Sequence, residues 1–264
     1  MKRSWRVELF AGLALAFVGA CGGGGGGGSS APPPTFTGIG DINLLFMGNS
    51  HTLNNDVPGM VGEMVRAARP GRTVANVTAP GSLFLGERAT DQPTLQLMRS
   101  RQWDFIVLQA QEYSTSGQFT YPTDGAEALV RMTNDLHAVP ILFPEWPRYG
   151  IDESQRIYAL HFSIAQKQPA CVAPIPQAFD LAKVRTPDIG LHSPDGNHSS
   201  PAGAFLASLV IANTITLLPP DRLPYLPSIP VNAATQERLR TVAAESLGAN
   251  ASRLTCPAAP LLPA

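Results

Sequence analysis

The sequence predicts an α/β fold, a three-layer α/β/α sandwich around a doubly wound parallel sheet. Short apolar runs of strand length alternate with stretches whose apolar residues recur at helical spacing, the pattern of strand–helix–strand units. The runs are mostly Val, Ile, Leu and Phe without polar alternation, as strands covered on both faces are. The segment 37–256 is long enough for one such domain with a single core. In sheets of this kind ligands bind beyond the carboxyl ends of the strands, so loops that follow strands are where chemistry is expected.

In chain order, strands are predicted over 42–47, 73–78, 105–109, 139–143 and 171–175. Between them, 57–69, 94–101, 124–137 and 153–168 carry helical periodicity with turn residues at their borders. A long apolar helix follows at about 201–217, another helix at 234–247, and residues 257–264, rich in Pro and Ala, are expected to be an irregular tail.

Residues 1–20 read as a targeting segment, with Lys2, Arg3 and Arg6 at a basic start and an apolar stretch over 9–20. Its end, Val18-Gly19-Ala20-Cys21, resembles a bacterial lipobox, which implies that Cys21 is lipidated and becomes the mature N-terminus; an ordinary secretory peptide is the alternative. The run Gly22 to Gly28, then Ser29, Ser30 and Pro32-Pro33-Pro34, makes 21–36 a tether between membrane and domain. Gly22 rather than Asp follows the cysteine, so the expected location is the outer membrane, facing the periplasm or cell surface. No later stretch is apolar for the roughly 20 residues that span a bilayer. Removing 1–20 takes Lys2, Arg3, Arg6 and Glu8 from 19 basic and 20 acidic side chains, leaving 16 and 19, a formal charge of −3. With no basic run remaining, nucleic acid is not an expected partner. Cys171 and Cys256 form an even pair in an oxidising compartment, to be read either as a disulfide or as two separate small apolar residues.

Gly48-Asn49-Ser50-His51 stands directly behind the first strand, and Asp195-Gly196-Asn197-His198 precedes the long apolar helix. A serine hydroxyl is a poor nucleophile at neutral pH; it needs an imidazole to take its proton and a carboxylate to orient that imidazole. Asp195 and His198 stand three apart, close enough for the carboxylate to accept the Nδ1 proton. His192 is the second choice of base. His51 adjoins Ser50 and reads as a pocket wall, and His137 and His161, within helices, read as structural or surface groups. No close-spaced metal-ligand motif involves His51, His192, His198 and Asp195, so no metal is expected.

With these residues in place the chain resembles the SGNH (GDSL-like) hydrolases, and within them a branch of bacterial proteins with Gly-Asn-Ser in place of Gly-Asp-Ser. The match runs through Leu45-Phe46-Met47-Gly48-Asn49-Ser50 with Asn55-Asp56-Val57-Pro58, and through Asp195, His198, Ser199, Pro201 and Gly203. It implies a flavodoxin-like sheet, Ser50 as nucleophile, and an oxyanion hole built from the N–H groups of Ser50 and Gly81 and the amide of Gln111. Gln111, in Gln109-Ala110-Gln111-Glu112, stands where many family members carry an asparagine; its amide is the same donor on a longer stem. Asn49, His51, Gln109, Glu145 and Trp146 are candidate substrate-binding residues, Trp146 either as a sugar-stacking ring or as a cap on the core. The expectation is a membrane-tethered serine esterase without cofactor, acting on acetyl or short acyl esters of carbohydrates or other small esters. Acyl transfer by the same three residues and glycan binding without catalysis are the alternatives; the oligomeric state is left open.

Overall fold

Burying the backbone of the apolar runs requires every strand to hydrogen-bond on its flanks, and a sheet covered on both faces does this. In the computed structural model, which describes residues 40–258, the strands are β1 (Ile42–Met47), β2 (Val74–Thr78), β3 (Phe105–Leu108), β4 (Val139–Leu142) and β5 (Cys171–Val172). All pair in parallel in the order β2-β1-β3-β4-β5. The order reverses at β1, so the crevice between the carboxyl ends of β1 and β3 is the place where such sheets bind ligands. The targeting segment, Cys21, the tether and residues 259–264 of the tail lie outside the described residues.

Nine α-helices occur among the described residues: α1 (Ser50–Leu53), α2 (Val57–Ala68), α3 (Leu85–Arg88), α4 (Gln92–Arg99), α5 (Asp124–Asp135), α6 (Ser154–Lys167), α7 (Ile175–Arg185), α8 (Pro201–Thr216) and α9 (Ala233–Ala249). Successive side chains of a strand face opposite ways, and β1 divides accordingly. Leu44 and Phe46 pack with α2, α7, α8 and α9, whereas Leu45 and Met47 pack with α3, α4, α5 and α6. The result is the predicted three layers. Helix α8 is apolar on all sides because it is enclosed between α2, α7 and α9.

Three helices escape sequence reading. Helices α1 and α3 are four residues long, too short for a periodicity. Helix α7 begins where the fifth strand was expected to continue: Pro174 ends β5 and Pro176 sits in the first turn of α7, where a missing N–H costs nothing. A disulfide joins Cys171 to Cys256. It is flanked by Val172 N–H donating to the Ser252 carbonyl at 3.1 Å and Thr255 Oγ1 donating to the Ala170 carbonyl at 2.7 Å. No helix of the described residues is long and apolar enough to cross a membrane.

Candidate active site

Chain direction changes sharply after β1. Gly48 is obligatory there, because a Cβ would run into Thr52 Oγ1 and Gln109 Oε1. Asn49 then caps α1, its Oδ1 accepting the His51 N–H at 3.0 Å. Ser50 was expected on a loop; it is the first residue of α1, so its N–H is one of the first-turn donors that a helix leaves without an internal partner. Gln109 fixes this turn from the adjacent strand end. Its Oε1 accepts from Asn49 N–H and Thr52 Oγ1, both at 2.9 Å, and its Nε2 donates to Glu145 at 3.0 Å.

From the other side, the turn 193–198 brings His198 against Ser50. Ser50 Oγ lies 2.8 Å from His198 Nε2, and His198 Nδ1 lies 2.5 Å from Asp195 Oδ2. With Nδ1 donating to the carboxylate, Nε2 is left to accept the serine proton. Asp195 Oδ1 also accepts the N–H groups of Asn197 and His198, each at 2.9 Å. The hydrogen bond to the His198 ring, helped by these two backbone donors, holds the Asp195 carboxyl down at about 2. Asn55 ties the two halves together by donating from Nδ2 to the Ser199 carbonyl at 2.8 Å. It sits at φ 58° beside Asp56 at φ 52°, the N-cap of α2.

The loops after β2 and β3 close the crevice. Gly81, in the loop after β2, has φ +80°, a conformation that favours glycine, and is exposed. Arg88 of α3, wholly buried, donates to the Gly48 and Gly81 carbonyls at 2.8 Å each. After β3, Ala110 is held at φ +78°, an uncommon conformation for a residue with a side chain, and its carbonyl accepts the Leu85 N–H at 2.9 Å.

No protein-family model matches the sequence, and no curated protein matches it closely. Solved structures do. One is a proposed SGNH hydrolase from Slackia heliotrinireducens, 25% identical, with 66% of this chain and 98% of that chain covered at a TM-score of 0.53. The chain thus resembles the SGNH (GDSL-like) hydrolases in fold. A DUF4886-family protein from Bacteroides uniformis, 15% identical, shares the fold at a TM-score of 0.59 over 78% of this chain and 94% of that one.

In this SGNH fold the remaining candidates separate into those that face the cleft and those that brace it. Asn49, Ser50, His51, Phe84, Gln111, Glu112, Tyr113, Tyr121, Glu145, Arg148, Asn197 and His198 line a cleft of about 310 Å³. Three expectations need correction. The Gln111 amide donates to the carbonyls of Glu112 at 2.9 Å and Pro122 at 3.1 Å, closing its own loop, so both of its hydrogens are engaged rather than offered to an oxyanion. Gln109 uses its amide to brace the turn that carries Ser50 and does not line the cleft. Trp146 is 1% exposed, stacked on Phe179 with its Nε1 donating to the Asn197 carbonyl at 2.9 Å. It caps the core and supports the histidine turn; it offers no face to a sugar. The exposed rings at the cleft are Phe84 (41%) and Tyr121 (37%).

His51 stacks on His198 with ring centroids 5.1 Å apart. Its Nδ1 lies 3.3 Å from Asn49 Oδ1 and 3.7 Å from Glu145, so it stands as a wall beside the candidate base. His192 is not placed as a base: its Nε2 donates to the Pro147 carbonyl at 2.8 Å, and its ring meets Tyr149 and Phe179 edge-on. His161 is buried in α6, and His137 follows α5 at φ 58°. Among the described residues no group of three or more His, Cys, Asp and Glu is placed to hold a metal ion. A larger groove of about 860 Å³, lined by Tyr149, Lys183 and His192 among others, is not lined by Ser50, Asp195 or His198. Chemistry, not volume, therefore picks out the smaller cleft. Arg88, Asn55 and Gln109 are the bracing residues that sequence reasoning missed or misread; their bonds to backbone groups leave no spacing signal.

Proposed function

We propose that the protein is a serine ester hydrolase that removes acetyl or other short acyl groups, with carbohydrate esters as its substrates. The observation that carries this reading is the unbroken hydrogen-bonded chain from Ser50 Oγ through His198 to Asp195 at the mouth of a small cleft. Ser50 Oγ attacks the ester carbonyl while His198 Nε2 takes its proton. The oxyanion that forms is met by the N–H groups of Ser50 and Gly81. The imidazolium, steadied by the ionised Asp195, returns its proton to the leaving alkoxide, which departs as the alcohol. Water then attacks the acyl-Ser50 ester, losing its proton to His198; the acyl–Oγ bond breaks, His198 returns the proton to Ser50 Oγ, and the acid is released. None of these steps calls on a cofactor. The limited cleft favours a short acyl group, and Phe84 and Tyr121 with Asn49, Arg148 and Asn197 offer the mixture of apolar faces and hydrogen-bonding groups that suits a sugar ring. Anchoring through a lipid on Cys21 completes the reading and rests on the sequence.

A panel of p-nitrophenyl esters from acetyl to dodecanoyl, set beside acetylated xylo- and chito-oligosaccharides, tests the proposal. Turnover highest for acetyl and propionyl esters, with acetate released from an acetylated sugar, is expected. A preference for long chains, or no release from any ester, would contradict it.

A further inference from the structure

Arg88 is the most deeply buried cationic side chain near the site, and it lies one layer beneath the reacting atoms. Its exposure is 0%, and the loss of water around the guanidinium pulls its pKa down. A cation in such a position must be matched by acceptors. Its two terminal nitrogens find four. Nη2 donates to the carbonyls of Gly48 and Gly81, both at 2.8 Å. Nη1 donates to the Pro80 carbonyl at 3.3 Å and to Thr94 Oγ1 at 3.2 Å. Thr94 is fixed in turn by donating to Asp91 at 2.6 Å. One nitrogen thus joins the turn that carries the nucleophile to the loop that carries Gly81.

Two consecutive carbonyls, Pro80 and Gly81, point at the same guanidinium. In an extended chain successive carbonyls alternate sides; the φ of +80° at Gly81 breaks the alternation. A trans peptide directs its N–H opposite to its C=O. Because the Pro80 carbonyl turns inward to Arg88, the Gly81 N–H of the same peptide turns outward. Helix α3, which carries Arg88, is held rigidly for the purpose. Leu85 N–H is bonded to the Ala110 carbonyl, and Gly86 meets Gly125 of α5 so closely that a side chain at Gly125 would run into the Gly86 backbone.

We infer that Arg88 is a positioning residue for the oxyanion hole: by holding the Pro80, Gly81 and Gly48 carbonyls inward it presents the Gly81 N–H to the oxyanion formed on Ser50. The inference rests on the esterase reading for its catalytic consequence and on the backbone geometry for its structural one.

Two variants and two readouts test it. In Arg88→Met the carbonyls lose their donors; in Arg88→Lys one ammonium can serve only some of them, without the planar fork of arginine. Losing an oxyanion donor typically lowers kcat by about 10²–10³-fold. For acetyl ester hydrolysis we expect a fall of that size in Arg88→Met with KM within about threefold, and a smaller fall in Arg88→Lys. A merely structural role would move the melting temperature without this split. The second readout is a crystal structure of Arg88→Lys, the variant that keeps a buried cation and so is the safer to fold. The Pro80–Gly81 peptide is expected to have rotated away from its wild-type orientation. An unchanged kcat in folded Arg88→Lys, or a Pro80–Gly81 peptide left in place, overturns the inference. If the wild type itself cleaves no ester, the esterase reading fails, and the peptide orientation still decides the role of Arg88.

Discussion

Asp195 stands at the solvent edge of the site, yet its carboxyl is held at about 2 by the His198 ring and two backbone N–H groups. It is therefore ionised throughout the range in which an imidazole changes charge, and can orient His198 and balance the imidazolium at any working pH. Replacing it by Asn should lower kcat by about 10³–10⁴-fold through the wrong tautomer, with the melting temperature little changed. Ser50→Ala and His198→Ala should reduce ester hydrolysis to background without unfolding the protein, whereas His192→Ala, whose ring is tied to the Pro147 carbonyl, should keep most of the wild-type kcat. Steady-state kinetics with p-nitrophenyl acetate checks all four. The candidate residues Ser50, His198 and Asp195 are legible in the sequence because serine-based chemistry demands particular side chains at particular ends of strands. Trp146 was equally conspicuous and open to two readings, since an aromatic beside a strand end can face a ligand or the core with the same local sequence. Arg88 gave no signal at all: an arginine that binds backbone carbonyls looks, in sequence, like any surface arginine.

At the scale of elements, the strands were legible because a strand buried on both faces must be apolar throughout, and the longer helices because burial on one side imposes a period. Helices α1 and α3, with a single turn each, are imposed by their neighbours: Asn49 caps the first, and the contact of Gly86 with Gly125 fixes the second. Helix α6 carries a testable consequence of its packing. His161 is wholly buried there, its Nδ1 donating to the Ile157 carbonyl at 2.8 Å, and burial pushes its pKa down to about 4. The unfolded chain, with a histidine near 6.5, binds more protons than the folded one between these values, so stability rises with pH across that window. The contribution is fully present above about pH 6.5, is lost as pH falls towards 4, and amounts to at most about 3 kcal/mol. Urea unfolding at pH 7 and pH 4.5 should therefore show a larger loss of stability in the wild type than in His161→Leu.

For the whole molecule, the disulfide between Cys171 and Cys256 closes a loop 85 residues long in sequence and fixes the segment after α9 against β5. On the chain-entropy account such a loop contributes up to about 4–5 kcal/mol, so reduction should lower the melting temperature by as much as about 20 °C. Cys171 lies in β5, the edge strand separated from β1 by β3 and β4, so hydrolysis by the reduced protein below that temperature should be nearly intact. At the other end of the chain, the lipid anchor proposed for Cys21 predicts that Cys21→Ser shifts the protein out of the membrane fraction, as immunoblotting of fractionated cells would report; several acyl chains anchor stably where one does not.

The central claim is that Ser50 is a nucleophile activated by His198. Incubation with a serine-reactive fluorophosphonate, followed by peptide mass spectrometry, tests it most directly. One label per molecule on Ser50 in the wild type, lost in Ser50→Ala and slowed at least 100-fold in His198→Ala, is the predicted result. A wild-type protein that takes up no label, or takes it up at the same rate when His198 is replaced, would contradict it.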